Sequence, residues 1–128
     1  WTKGITRIEC PVRHGEGRFV MPSTTNLDDL NKNNQIVTRY VDPTTEPGKG
    51  ITDETLPFPI CPNGSIRNIA GICDPTGLVF GLMPHPEAYL YQETHYQRGL
   101  TSQLMEIGDG LRIFTNIIDY CNNRGEVV

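Results

Sequence analysis

Long apolar runs are missing from the sequence: none approaches the roughly 20 residues that a membrane-spanning helix needs. The first residues also lack the charged and then apolar segments of a secretory signal. A cytoplasmic protein with no membrane partner is therefore expected. Excess positive charge is missing too. Eleven Lys and Arg against fifteen Asp and Glu leave a net charge of −4, mixed along the chain. No basic stripe offers itself to a phosphate backbone, so nucleic acid is not an expected partner. Cysteine is sparse: Cys10, Cys61, Cys73 and Cys121 contain no Cys-x-x-Cys pair. That spacing excludes a zinc knuckle and a thioredoxin-like redox motif. The four are read as reduced, small, buried and inert side chains, none of them in a nucleophile elbow.

What is present describes one soluble domain of 128 residues, long enough for a modest core. Thirteen glycines and ten prolines imply many turns. The chain opens on Trp1 rather than Met, which is the expectation for a start made by processing or lying inside a larger gene product.

The pattern of residue types places the elements. Residues 5–13 alternate partly between apolar and polar, which predicts a half-buried strand. Ser23, Thr24 and Thr25 followed by Asp28 and Asp29 predict a short helix near 26–33 with acids in its first turn. Gln35 to Val41 is β-branched and aromatic and predicts a strand that Asp42-Pro43 ends. From Pro43 to Pro62 recurrent proline predicts an extended surface loop. Ile66–Cys73 and Leu78–Met83 flank Asp74-Pro75-Thr76-Gly77, the chemistry of a hairpin turn. After Gly108-Asp109-Gly110 the positions Leu111, Ile113, Phe114, Ile117, Ile118 and Cys121 lie near one helical face, so a terminal helix is expected to about Asn122. The fold class is mixed α and β, without internal repeats.

Chemistry concentrates in Gly81-Leu-Met-Pro-His-Pro-Glu87, where His85 and Glu87 lie two apart between prolines. Proline fixes its own φ and pushes the preceding residue toward extended conformations. Extended chain projects residues i and i+2 to one side about 6.6 Å apart, so the carboxylate can orient the imidazole. Such a pair suits a general base toward a thiol or hydroxyl. On spacing alone the favoured reading is a turn histidine with a satisfied hydrogen bond beside a solvated carboxylate.

Four motifs occur in a recognisable order: Pro11-Val-Arg-His-Gly-Glu-Gly-Arg-Phe19, Pro62-Asn-Gly-Ser65, Ile69-Ala-Gly-Ile-Cys-Asp74 and Gly81-Leu-Met-Pro-His-Pro-Glu87. Together they resemble the class I glutamine amidotransferase (glutaminase) domains of phosphoribosylformylglycinamidine synthases. The resemblance runs from residue 1 to the terminal helix and implies a partial, flavodoxin-like α/β fold, with residues 1–128 as its carboxy-terminal half. It implies a Cys-His-Glu triad with His85 and Glu87 as two of its members. The nucleophilic cysteine would lie in an amino-terminal half upstream of Trp1, so the chain alone is expected to be inactive. Cys73 in Gly71-Ile-Cys-Asp would be structural.

The same resemblance implies that His14, Gly15 and Glu16 lie beside bound glutamine and offer backbone groups to its amino-acid end. A plain polar turn is the competing reading for that stretch. Roles for Arg18, Asn63, Ser65, His95 and Arg98 stay open; Asn63-Gly64-Ser65 fits either a turn or a loop facing the synthase, and His95 and Arg98 are read as solvated. The implied partners are glutamine, the upstream half and a synthase subunit or domain that would hold ATP and magnesium. No cofactor or metal is expected on this chain. The alternative is a non-catalytic interaction or scaffolding module derived from an amidotransferase.

Overall fold

A computed structural model describes residues 1–95 and 107–124. They divide into two compact units, Val12–Met83 and Trp1–Pro11 with Pro84–Val128.

In the Val12–Met83 unit, helix α1 spans Thr24–Lys32. Ser23 caps it, its hydroxyl oxygen accepting from the Asn26 amide at 3.4 Å. The helix starts two residues earlier than predicted, so Asp28 and Asp29 fall beyond its first turn. Leu27 is fully buried and anchors the helix. Asn34 then takes a left-handed φ of 55°, a region that asparagine tolerates better than most residues, and the chain reverses into strand β1, Ile36–Arg39.

Strand β2, Ile69–Cys73, is central in a three-stranded antiparallel sheet of order β1-β2-β3, with β3 at Phe80–Leu82. The predicted hairpin is present, with Gly71 opposite Leu82 and Cys73 opposite Phe80. Its turn is closed by the Asp74 carboxylate, which accepts from the Thr76 hydroxyl and from the Thr76 and Val79 amides. Gly77 has φ 71°, the conformation the turn needs and one that glycine adopts without strain. Gly71 is required for a different reason: a Cβ there would lie 2.6 Å from Thr38 Oγ1 and 2.9 Å from the Gly81 carbonyl oxygen. The core of the unit is Leu27, Cys61, Ile69 and Ala70, together with buried Ser65 and Asn68.

The proline-rich loop lacks helix and strand as predicted, but it is tied down. The buried Asn68 side chain accepts from the Leu56 amide at 2.7 Å and donates to the carbonyls of Thr52 and Glu54. Above it Arg39 pairs with Asp53 at 2.9 Å and Arg67 with Asp28 at 2.8 Å.

In the other unit, helix α2 runs Asp109–Arg124. The predicted strand at 5–13 does not form. The residues just before it are held by α2 side chains: Asn116 Nδ2 donates to the carbonyls of Trp1 and Lys3, and Arg112 Nη2 to that of Gly4. The Glu9 amide donates to the Asp109 carboxylate. Alternating polarity reports extended half-buried chain, but a strand also needs a neighbouring backbone, and here side chains take that place. Ile113 is buried while Phe114 and Ile118 are exposed, so the apolar face of α2 is only partly covered within the unit. No helix among the described residues is long and apolar enough to cross a membrane.

Candidate active site

His85 follows Pro84, and its amide donates to the Pro11 carbonyl at 2.8 Å. Beyond it the chain does not stay extended: Pro86–Ala88 forms a 3-10 turn, closed by bonds from the Ala88 amide to the His85 carbonyl and from the Tyr89 amide to the Pro86 carbonyl. Proline suits the first position of such a turn, where its fixed φ is helical and no donor is needed. The predicted extended run therefore ends one residue early, and Glu87 reaches back from the turn. Its carboxylate oxygen Oε1 lies 2.7 Å from His85 Nδ1.

A carboxylate only accepts, so the contact places the ring hydrogen on Nδ1 and the basic lone pair on Nε2. The imidazole is about one-third exposed and the carboxylate about three-fifths, which keeps the pair open to a reacting group. That arrangement can take a proton from an acid at Nε2 and stabilise the resulting imidazolium.

The turn is fixed from the helix side. The Gly110 amide donates to the Tyr89 carbonyl at 3.0 Å, and the Gly108 amide to that of Leu90 at 2.8 Å. Cys10 belongs to the same unit, and its thiol is pushed up to about 12, first by burial and then by the charges of Asp109, Glu87 and Glu9. Cys10 is thus a protonated thiol near neutral pH and a poor nucleophile. Cys61 alone is buried; Cys10 and Cys73 are half-buried and Cys121, near the end of α2, is exposed, so the reading of all four as buried holds only for Cys61.

His95 is not a solvated side chain. Only 15% exposed, it lies 3.5 Å from Glu9 Oε1 and packs on the Tyr89 ring at a centroid distance of 4.8 Å. Arg98 lies outside the described residues.

The stretch His14-Gly-Glu-Gly-Arg18 belongs to the Val12–Met83 unit. It is a tight turn in which the Arg18 amide donates to the Glu16 carbonyl at 2.8 Å. Gly15 and Glu16 form its exposed tip. The His14 ring folds inward against Gly17, whose amide donates to Nδ1 at 3.1 Å. Asn63 reaches the same nitrogen and the Gly17 carbonyl. A Cβ at Gly17 would overlap the His14 ring, so this glycine is required by close approach. Asn63 and Ser65, left without roles by the sequence, thus contact the candidate turn. No spacing rule could have joined positions 46 residues apart.

Among the described residues no three His, Cys, Asp or Glu side chains converge as metal ligands would. Residues 1–121 match the family model of the CobB/CobQ-like glutamine amidotransferase domain. A phosphoribosylformylglycinamidine synthase subunit PurQ of Methanococcus maripaludis is 39% identical over 131 residues, covering 95% of this chain and 46% of that protein. The subunit of the same name from Archaeoglobus fulgidus is 45% identical over 113 residues, 86% of this chain and 36% of its own length. That of Treponema denticola is 47% identical over 92 residues, 68% and 32% respectively. The chain spans less than half the length of these relatives. With the match extending over nearly all its residues, the chain belongs to the CobB/CobQ-like glutamine amidotransferase domain family.

Proposed function

We propose that the chain is part of the glutaminase component of a phosphoribosylformylglycinamidine synthase, acting in the cytoplasm in purine biosynthesis. Glutamine would be hydrolysed to glutamate and ammonia, and the ammonia used by a synthase subunit or domain that holds ATP and magnesium. The reading rests above all on the His85 and Glu87 side chains, 2.7 Å apart within the region that matches the family.

In this reading residues 1–128 are the carboxy-terminal half of a flavodoxin-like amidotransferase domain. A cysteine from the amino-terminal half is the nucleophile, because none of the four here follows a Gly-x-Cys-x-Gly elbow. His85 Nε2 takes the thiol proton, and the thiolate attacks the glutamine carboxamide carbon. The proton passes to the departing nitrogen, which leaves as ammonia, and a glutamyl thioester remains. Water, deprotonated by the same imidazole, then releases glutamate and restores the thiol. Glu87 holds the ring in the tautomer that keeps Nε2 basic. The exposed tip at Gly15 and Glu16, with His14 beneath it, serves the amino-acid end of the substrate.

Mixing the chain with the nucleophile-bearing half and measuring ammonia released from glutamine tests the proposal. Activity is expected from the mixture and from neither half alone. Ammonia release by the 128-residue chain alone would overturn it.

A further inference from the structure

We propose that Asn63 and Ser65 are positioning residues that clamp the glutamine turn at 14–18 from beneath; the inference rests on the glutaminase reading above. The two N–H groups of one amide do separate work: Asn63 Nδ2 meets His14 Nδ1 and also donates to the Gly17 carbonyl at 3.3 Å. The Gly17 amide decides which form of the ring is present. An N–H that donates to Nδ1 requires a lone pair there, so the His14 hydrogen resides on Nε2. That nitrogen is buried without a hydrogen-bond partner. The His14 ring is thus packed into the protein and acts as a strut for the turn.

Ser65 holds the other end. It is fully buried, and its hydroxyl oxygen accepts from the Phe19 amide at 2.9 Å. The Ile66 amide donates to the Phe19 carbonyl at 3.1 Å. Both ends of the turn are therefore fixed by Asn63, Ser65 and Ile66, while Gly15 and Glu16 stay exposed at the tip. A turn held in this way presents its tip groups in one geometry, which lowers the ordering cost of binding a small ligand. Asn63 acts in this reading through the turn and not on a reacting atom, so its loss falls on substrate affinity rather than on chemistry.

The experiment has two arms. In the complete glutaminase assembled from this chain and the nucleophile-bearing polypeptide, Asn63→Ala and Asn63→Asp raise KM for glutamine roughly tenfold and leave kcat within about threefold. The aspartate fills the same volume but lacks both donors, so it behaves like alanine if donation matters and like the parent if only packing does. In the 128-residue chain, the ring-nitrogen NMR shifts of His14 report the hydrogen on Nε2, and Asn63→Asp moves it toward Nδ1. A parent-like KM in Asn63→Asp, or a parent ring with its hydrogen on Nδ1, overturns the clamp. His85→Ala is the control: if it leaves glutaminase turnover intact, the glutaminase reading itself has failed rather than the clamp.

Discussion

Gly110, in the first turn of α2, packs against the Pro86 carbonyl so closely that a Cβ there would overlap it. The helix start and the turn carrying Glu87 are thereby one structural unit, and the orientation of the His85 pair depends on a residue with no chemistry of its own. Gly110→Ala must push the Pro86 turn aside. It is expected to lower the melting temperature and to cut turnover of the proposed glutaminase at least tenfold, because misplacement of a catalytic group by about an ångström costs on the order of 10²-fold. Thermal melting and steady-state kinetics measure the two effects separately.

Asn68 makes a second prediction, about stability. It is 1% exposed, has φ 57° and satisfies three backbone groups of the proline-rich loop. Asn68→Ala strands those groups and places alanine in a left-handed conformation, for an expected loss of about 2–4 kcal/mol. A shift of the urea midpoint at constant slope checks it.

The cysteines should differ in reactivity. Cys121 is exposed, Cys61 is buried, and the Cys10 thiol is held up at about 12. At pH 8 iodoacetamide should label Cys121 fastest, with Cys10 and Cys61 labelled only on unfolding. Peptide mass spectrometry against time reads the order.

The hairpin turn carries a pH signature. Hydrogen bonds from the Thr76 hydroxyl and the Val79 amide hold the Asp74 carboxyl down at about 2, against 3.8 unperturbed. A carboxyl lowered in the folded state contributes stability that is complete above its unfolded value and is lost as pH falls through the folded one. The turn is therefore expected to be insensitive to pH above about 4 and to loosen between about pH 4 and pH 2. Asp74→Asn should remove that dependence, as amide exchange at Val79 would show.

Much of the architecture was legible because local chemistry decided it. Ser23 capped the helix it announced, Asp74 to Gly77 formed the expected turn, and the apolar spacing after Gly110 produced α2. What was not legible required partners distant in sequence. Residues 5–11 have the polarity of a strand, yet the Asp109 carboxylate takes the Glu9 amide and the His85 amide donates to the Pro11 carbonyl, both far along the chain. His95 has the polar neighbours of a solvated side chain, yet Tyr89 and Glu9 lie against it. The His85 and Glu87 pairing was readable from its spacing, although the turn through Pro86 and not an extended strand brings the two together. Asn63 stood in a recognisable motif, but its contacts were not legible, since its partners His14 and Gly17 lie in another motif.

His85, oriented by Glu87, is in the proposed glutaminase the base that activates a thiol supplied by another part of the protein. Single-turnover formation of the glutamyl thioester measures that step directly, in glutaminase assembled from this chain and the nucleophile-bearing half. His85→Ala is expected to slow it roughly 10²–10⁴-fold, and Glu87→Ala by a smaller factor, with glutamine affinity little changed. Thioester formation at the parent rate in His85→Ala would show that this imidazole is not the base.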